Sequence, residues 1–172
     1  QARKRLGGIG TNTAALAFGG DIAPVTAITE LWNGTNWTEV NDLNTARRGP
    51  AGAGTTTAGL AFGGDTGGDN FVGATELWNG TNWTEVNDLG TARYNLGGAG
   101  TQTAALGFGG NAPSTGKTES WNGTNWTETS DLGTARYRLA GAGTNTVALA
   151  FGGRTPTVAA TEEWNDPGTI TK

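Results

Sequence analysis

Arginine recurs at Arg3, Arg47, Arg93 and Arg136, and each stands 17 residues before the second glycine of a Phe-Gly-Gly triplet. A guanidinium offers a planar fork of donors that fits a carboxylate or sulfate, so four of them in equivalent places could clamp an anionic group such as a sialic acid. The same arginines are matched in number by Glu30, Glu76, Glu119 and Glu162, and Asp42, Asp88 and Asp131 lie five residues before three of them. The competing role is therefore structural: ion pairs between repeats, with turn aspartates capping their own backbone. Glu39, Glu85 and Glu128 could pair with the first set of glutamates as an acid and a base. An active site is normally unique, whereas these carboxylates occur in every full copy, so no catalytic residue is assigned and a non-enzymatic role is expected.

The residues that do not repeat carry more information about function. Asp21, Asp65, Asp69, Asn70, Phe71, Asn111, Lys117 and Arg154 all fall in stretches whose length differs from copy to copy. Phe71, beside Asp69 and Asn70, could stack on a sugar or a partner side chain, or simply pack its own loop. Asp65 and Asp69 supply two carboxylates in a glycine-rich loop, far short of a calcium shell. The chain has no cysteine, histidine or methionine. Disulfides, thiolate or imidazole metal sites and histidine-assisted nucleophiles are excluded with them, and neither metal nor cofactor is expected.

These side chains must be positioned by a repeating frame. Phe-Gly-Gly begins at Phe18, Phe62, Phe108 and Phe151, at steps of 44, 46 and 43 residues, and the arginines step by the same values. Trp-Asn-Gly-Thr-Asn-Trp-Thr-Glu recurs unchanged at Trp32 to Glu39, Trp78 to Glu85 and Trp121 to Glu128, and decays in the fourth copy after Trp164-Asn165. All length variation falls in residues 21–28, 65–74, 111–117 and 154–160. A constant frame thus holds one variable loop per copy, and such loops are where binding concentrates.

Each copy reads as four strands. A small, glycine-rich segment such as Arg93 to Thr101 suits an innermost strand crowded around an axis. A short apolar run such as Thr146 to Phe151, stopped by two glycines, predicts a strand buried on both faces. Asn-Gly then marks a hairpin. With Asn33-Gly34 as a two-residue turn, Trp32 opposes Thr35 and lies diagonal to Trp37. This register is expected because the alternative sets Glu30 directly against Glu39. Asn33 and Asn36 each fit Asn-x-Thr, which is read as turn chemistry rather than glycosylation. Units that cannot bury both faces alone must stack on neighbours. The fold class expected is all-β, a propeller of four four-stranded blades spanning 3–43, 47–89, 93–132 and 136–172 in a single domain over 1–172.

Charge and hydropathy narrow the partners. The formal net charge is −4, which offers no attraction to nucleic acid or anionic lipid. No apolar run reaches the roughly 18 residues that span a bilayer. A chain that opens on Gln1 is expected to be a processed product or an excerpt, so a homo-oligomer or a longer array are both open.

The order of arginine with small residues, apolar strand ending in Gly-Gly, Glu-x-aromatic strand, turn and Trp strand resembles the kelch repeat. In the second copy the matching residues are Arg47, Phe62-Gly63-Gly64, Glu76-Leu77-Trp78 and Trp83. Departures are Trp32, Trp78, Trp121 and Trp164 where that family usually has Tyr, and a shorter hairpin turn. The Trp-Asn-Gly-Thr-Asn-Trp copies are also similar to repeats in virion or tail-associated proteins of marine bacteriophages. The resemblance implies a binding or structural scaffold, extracellular or on a virion, that presents its variable-loop face to a glycan or protein. Kelch propellers usually carry five to eight blades, whereas four copies occur here. Copper chemistry of the galactose-oxidase kind would need His and a Cys-linked Tyr, which the chain lacks. A sialidase-like hydrolase would need arginines beside a Tyr nucleophile, as at Tyr94 and Tyr137, and a purely architectural spacer is the other alternative.

Overall fold

The structure, a computed structural model, describes residues 1–155 and 159–165. The chain is a β-propeller of four blades. The first holds β1 (Gly7–Gly10), β2 (Ala15–Phe18), β3 (Thr29–Trp32) and β4 (Trp37–Val40). The second holds β5 (Ala51–Gly54), β6 (Gly59–Phe62), β7 (Thr75–Trp78) and β8 (Trp83–Val86). β9 (Gly97–Gly100), β10 (Ala105–Phe108), β11 (Thr118–Trp121) and β12 (Trp126–Glu128) make the third, and β13 (Ala140–Gly143), β14 (Val147–Phe151) and β15 (Thr161–Asn165) the fourth. Every sheet is antiparallel with its strands in chain order, and the described part of the last sheet has three strands. Residues 166–172, which stand where an outer strand is expected, lie outside the described residues. No helix is long and apolar enough to cross a membrane among the described residues.

The innermost strands carry glycine because their neighbours come too close for a side chain. A Cβ on Gly52 would stand 2.8 Å from the Phe18 ring of the preceding blade, and one on Gly98 2.9 Å from Phe62. The phenylalanine that ends the second strand of blades 1, 2 and 3 therefore slots over a glycine of the next inner strand. In blades 1 and 2 it then meets the next blade's outer tryptophan, with ring centroids 5.2 Å apart for Phe18 and Trp83 and 4.8 Å for Phe62 and Trp126. The apolar core is accordingly split into seams between blades. One joins Leu16, Phe18 and Leu43 to Ala61, Trp78 and Trp83; the next two repeat the pattern. Indole N–H groups also cross the seams: Trp83 Nε1 donates to Thr29 Oγ1 at 3.1 Å and Trp126 Nε1 to Thr75 Oγ1 at 3.0 Å.

The hairpin register differs from the expected one. Trp32 directly opposes Trp37 and Glu30 opposes Glu39, and both other complete blades repeat this pairing. The loop is four residues, Asn33 to Asn36. Asn33 N–H donates to the Asn36 carbonyl at 3.3 Å, and the Asn33 side-chain oxygen accepts from the N–H groups of Thr35 and Asn36, both at 2.9 Å. Asparagine thus acts through its side chain, and only Gly34 takes a positive φ, of 92°. The like-charge pairing is tolerated because Arg3 Nη1 lies 2.7 Å from Glu30, while Glu39 is exposed to water.

The second correction concerns the last blade. β14 is not buried on both faces: Ala148 and Ala150 are buried against blade 3, but Val147, Leu149 and Phe151 are 53%, 43% and 40% exposed. Their face has no following blade against it among the described residues.

Candidate functional site

The frame arginines are committed to the fold. Arg47, Arg93 and Arg136 are fully buried and Arg3 is nearly so. Each meets the glutamate of its own blade, so the pairs lie within blades rather than between them. Arg47 Nη1 is 2.5 Å from Glu76, Arg93 contacts Glu119, and Arg136 Nη2 is 3.1 Å from Glu162. A guanidinium nitrogen also donates to a carbonyl of the second strand: Arg93 Nη2 to Gly107 at 3.1 Å, and Arg136 Nη2, the nitrogen that faces Glu162, to Ala150 at 3.1 Å, while Arg136 Nη1 donates to Gly152 and Ala160. Burial pulls the Arg47 guanidinium below its ordinary pKa, against the opposing pull of Glu76. The glutamates reach across the seams, since Glu76 accepts from Asn44 N–H at 2.7 Å and Glu119 from Gly90 N–H at 2.7 Å. Asp42, Asp88 and Asp131 each cap the first N–H of the third strand, at Thr29, Thr75 and Thr118. Arg47, Arg93 and Arg136 are closed to a ligand while the blades are folded, whereas Arg3 lines an open depression at the flank of blade 1.

The variable loops and the approaches to the inner strands share one face. Gly20 N–H donates to the Arg47 carbonyl at 2.9 Å, and Gly64 and Gly110 do the same to Arg93 and Arg136. Asp65 is fully buried there, held by Arg48 at 2.7 Å, and Arg48 also lies 3.5 Å from Asp21 of the preceding blade. The hydrogen bond to Asp65 holds Arg48 above its ordinary pKa. Desolvation raises the Asp21 pKa, but the Ala23 N–H and the charges of Lys4 and Arg48 outweigh it and leave the group below its usual value. Phe71 stacks on Tyr94 of the next blade, with centroids 4.9 Å apart and planes 10° from parallel, and Asn111 Nδ2 donates to the Tyr94 hydroxyl at 3.3 Å. Lys117 pairs with Glu128 at 2.7 Å. Asp69 and Arg154 are exposed, as is Asn70, whose amide donates to Thr66.

At the centre of that face the blades build a mouth around the axis. Two residues after each frame arginine stand Arg5, Gly49, Asn95 and Arg138, all in the left-handed conformation with φ of 56°, 64°, 55° and 56°. Their backbones join in series: Gly49 N–H donates to the Arg5 carbonyl at 2.7 Å, Asn95 N–H to Gly49 at 2.8 Å, and Arg138 N–H to Asn95 at 2.7 Å. With Leu6, Pro50, Leu96 and Leu139 behind them, they line an open depression of about 300 Å³. The Asn95 Nδ2 group is buried and has no hydrogen-bond partner among the described residues. Arg138 is exposed, its guanidinium 5.7 Å from the Tyr137 ring, and Arg5 lies 3.8 Å from Asp21. Arg5, Asn95 and Arg138 thus border a depression whose other lining is mainly apolar, and guanidinium and amide donors are groups suited to a carboxylate or sulfate.

Arg5, Asn95 and Arg138 were not among the residues singled out from sequence, because their position varies between copies. The signal available was its composition: glycine and asparagine are the residues that most readily take a positive φ.

No protein-family model matches the chain, and no curated protein matches it. What the fold and the face define is a class, a β-propeller whose repeated side chains hold the blades and whose unrepeated ones gather at one end of the axis.

Proposed function

We propose that the chain is a non-enzymatic binding scaffold. It displays the variable-loop face and takes an acidic group of a glycan or protein, a carboxylate or sulfate, at the axial mouth. The observation that carries this reading is the division of labour among the cations. Arg47, Arg93 and Arg136 are sealed inside blades, whereas Arg5 and Arg138 line the mouth together with Asn95. Phe71 and Tyr94 form an aromatic ledge, and Asp69 and Arg154 are exposed in the variable loops of blades 2 and 4. The kelch-like order of residues and the similarity to phage virion repeats favour a setting on a virion or outside the cell.

The test is a glycan array carrying sialylated, uronate and sulfated glycans beside their neutral counterparts, read with the wild type and an Arg5→Ala/Arg138→Ala variant. Acidic glycans should bind, and the double variant should lose them while its thermal unfolding stays unchanged. A blank array, or binding that survives the double substitution, would refute the mouth as the site and favour an architectural spacer. Turnover of a fluorogenic sialoside would instead overturn the non-enzymatic reading.

A further inference from the structure

The seams between blades are copies of one another, and the two flanks that end the stack are the unmatched halves of a further seam. On the following side of each blade stand the second-strand leucine and phenylalanine. On the preceding side stand a glycine of the inner strand and the outer tryptophan. In blade 4 the first half is open, with Leu149 43% and Phe151 40% exposed. In blade 1 the second half is open: Trp37 is 49% exposed and lines a depression of about 290 Å³ with Leu6, Ala17 and Glu30. A Cβ on Gly8 would meet only the Leu16 carbonyl, at 3.6 Å, whereas the same position in blades 2, 3 and 4 lies under a phenylalanine ring at 2.8, 2.9 and 2.2 Å. Gly8 is a seat without its ring, and Phe151 is a ring without its seat.

Polar groups are left in the same register. The series of mouth hydrogen bonds ends with the Arg5 N–H at one side and the Arg138 carbonyl at the other, neither paired in this way among the described residues. The series that runs from Gly20, Gly64 and Gly110 to the next frame arginine likewise leaves Gly153 N–H and the Arg3 carbonyl without their counterparts among the described residues. The outer tryptophans of blades 2 and 3 donate to a threonine of the blade before, so Trp37 lacks the threonine that Thr161 of another blade 4 would supply.

We propose that the open flank of blade 4 docks on the open flank of blade 1 of a second copy of this chain. The contact reproduces the internal seam: Phe151 seats on Gly8 and against Trp37 of the second copy. It is a head-to-tail contact, and two copies that each use both flanks close a ring of eight blades. The mouth hydrogen-bond series then runs unbroken around the axis.

Light scattering on the size-separated protein tests this. The wild type should have about twice the 17.5 kDa mass of one chain. Gly8→Ala places a methyl where the second copy's ring must lie, yet within its own chain it makes only an ordinary contact with the Leu16 carbonyl at 3.6 Å among the described residues, so it should be monomeric while unfolding at the temperature of diluted wild type. Phe151→Asp should also be monomeric. An equimolar mixture of the two variants should regain dimer, because one of the two contacts then joins wild-type flanks. A wild type that is monomeric at every concentration, a Gly8→Ala protein that stays dimeric, or a mixture that stays monomeric overturns the proposal. Open-ended polymers would overturn the two-chain ring.

Discussion

Replacing Arg47 by alanine tests whether the frame arginines hold the blades. Arg47 and Glu76 are both fully buried, and the guanidinium makes its contacts with Glu76 at 2.5 Å, the Thr45 carbonyl at 3.3 Å and the Ala61 carbonyl at 3.4 Å. Its methylenes also pack on Gly64, where a Cβ would stand 2.8 Å from Cδ. The substitution leaves a buried carboxylate with the amides of Asn44 and Thr45 but no countercharge. Removing one partner of a buried pair costs about 3–5 kcal/mol. For a domain of this size that lowers Tm by about 6–20 °C. Denaturant and thermal unfolding should show the loss, and Arg47→Met/Glu76→Gln should recover part of it because neither side chain is then charged. A cost below about 1 kcal/mol for Arg47→Ala would refute the reasoning, since the pair would then not compensate the buried carboxylate. So would a double variant as unstable as the sum of the two single changes.

Two further outcomes follow from the asymmetry of the stack and from its carboxylates. Trp83 and Trp37 hold the same repeat position but are 5% and 49% exposed. Trp83→Ala should cost about 3–5 kcal/mol and Trp37→Ala, in monomeric protein, less than about 1 kcal/mol, read by urea unfolding. Asp21 and Glu30 both lie below their ordinary pKa, Asp21 for the reasons given above and Glu30 chiefly through the hydrogen bond from the terminal ammonium, with Arg3 adding to it. A depressed carboxyl stabilises the fold fully above its unfolded value near pH 4 and loses that contribution as pH falls through its folded value. Tm should therefore fall below about pH 4, and Asp21→Asn should flatten part of that fall.

Much of the fold was legible because the repeat is close to perfect. The Phe-Gly-Gly spacing fixes the second strand, and the invariant stretch from Trp32 to Glu39 fixes the hairpin pair. The turn register was misread for a local reason. Asn-Gly favours a two-residue turn when both backbones carry positive φ, but here Asn33 satisfies two N–H groups through its side chain and opens the loop by two residues. Glu30 and Glu39 can face each other because Arg3 stands against the inner of the two. Asp65 looked like a loop ligand; it is a buried anion because Arg48, 17 residues earlier, folds back onto it, a pairing no periodicity announces. The mouth was hidden for a different reason. Arg5, Asn95 and Arg138 meet only because four successive chain entries are bent alike about an axis, and conformational similarity of that kind leaves little trace in residue identity.

The chain of bonds that links the mouth is made entirely by peptide groups, with a left-handed residue at each step. Its integrity is thus indifferent to which side chain projects from positions 5, 49, 95 and 138, provided the residue tolerates that backbone. Specificity can drift there while the architecture stays put, so exchanging these four residues among Asn, Asp, Gly and Arg amounts to changing the key without recutting the lock's frame.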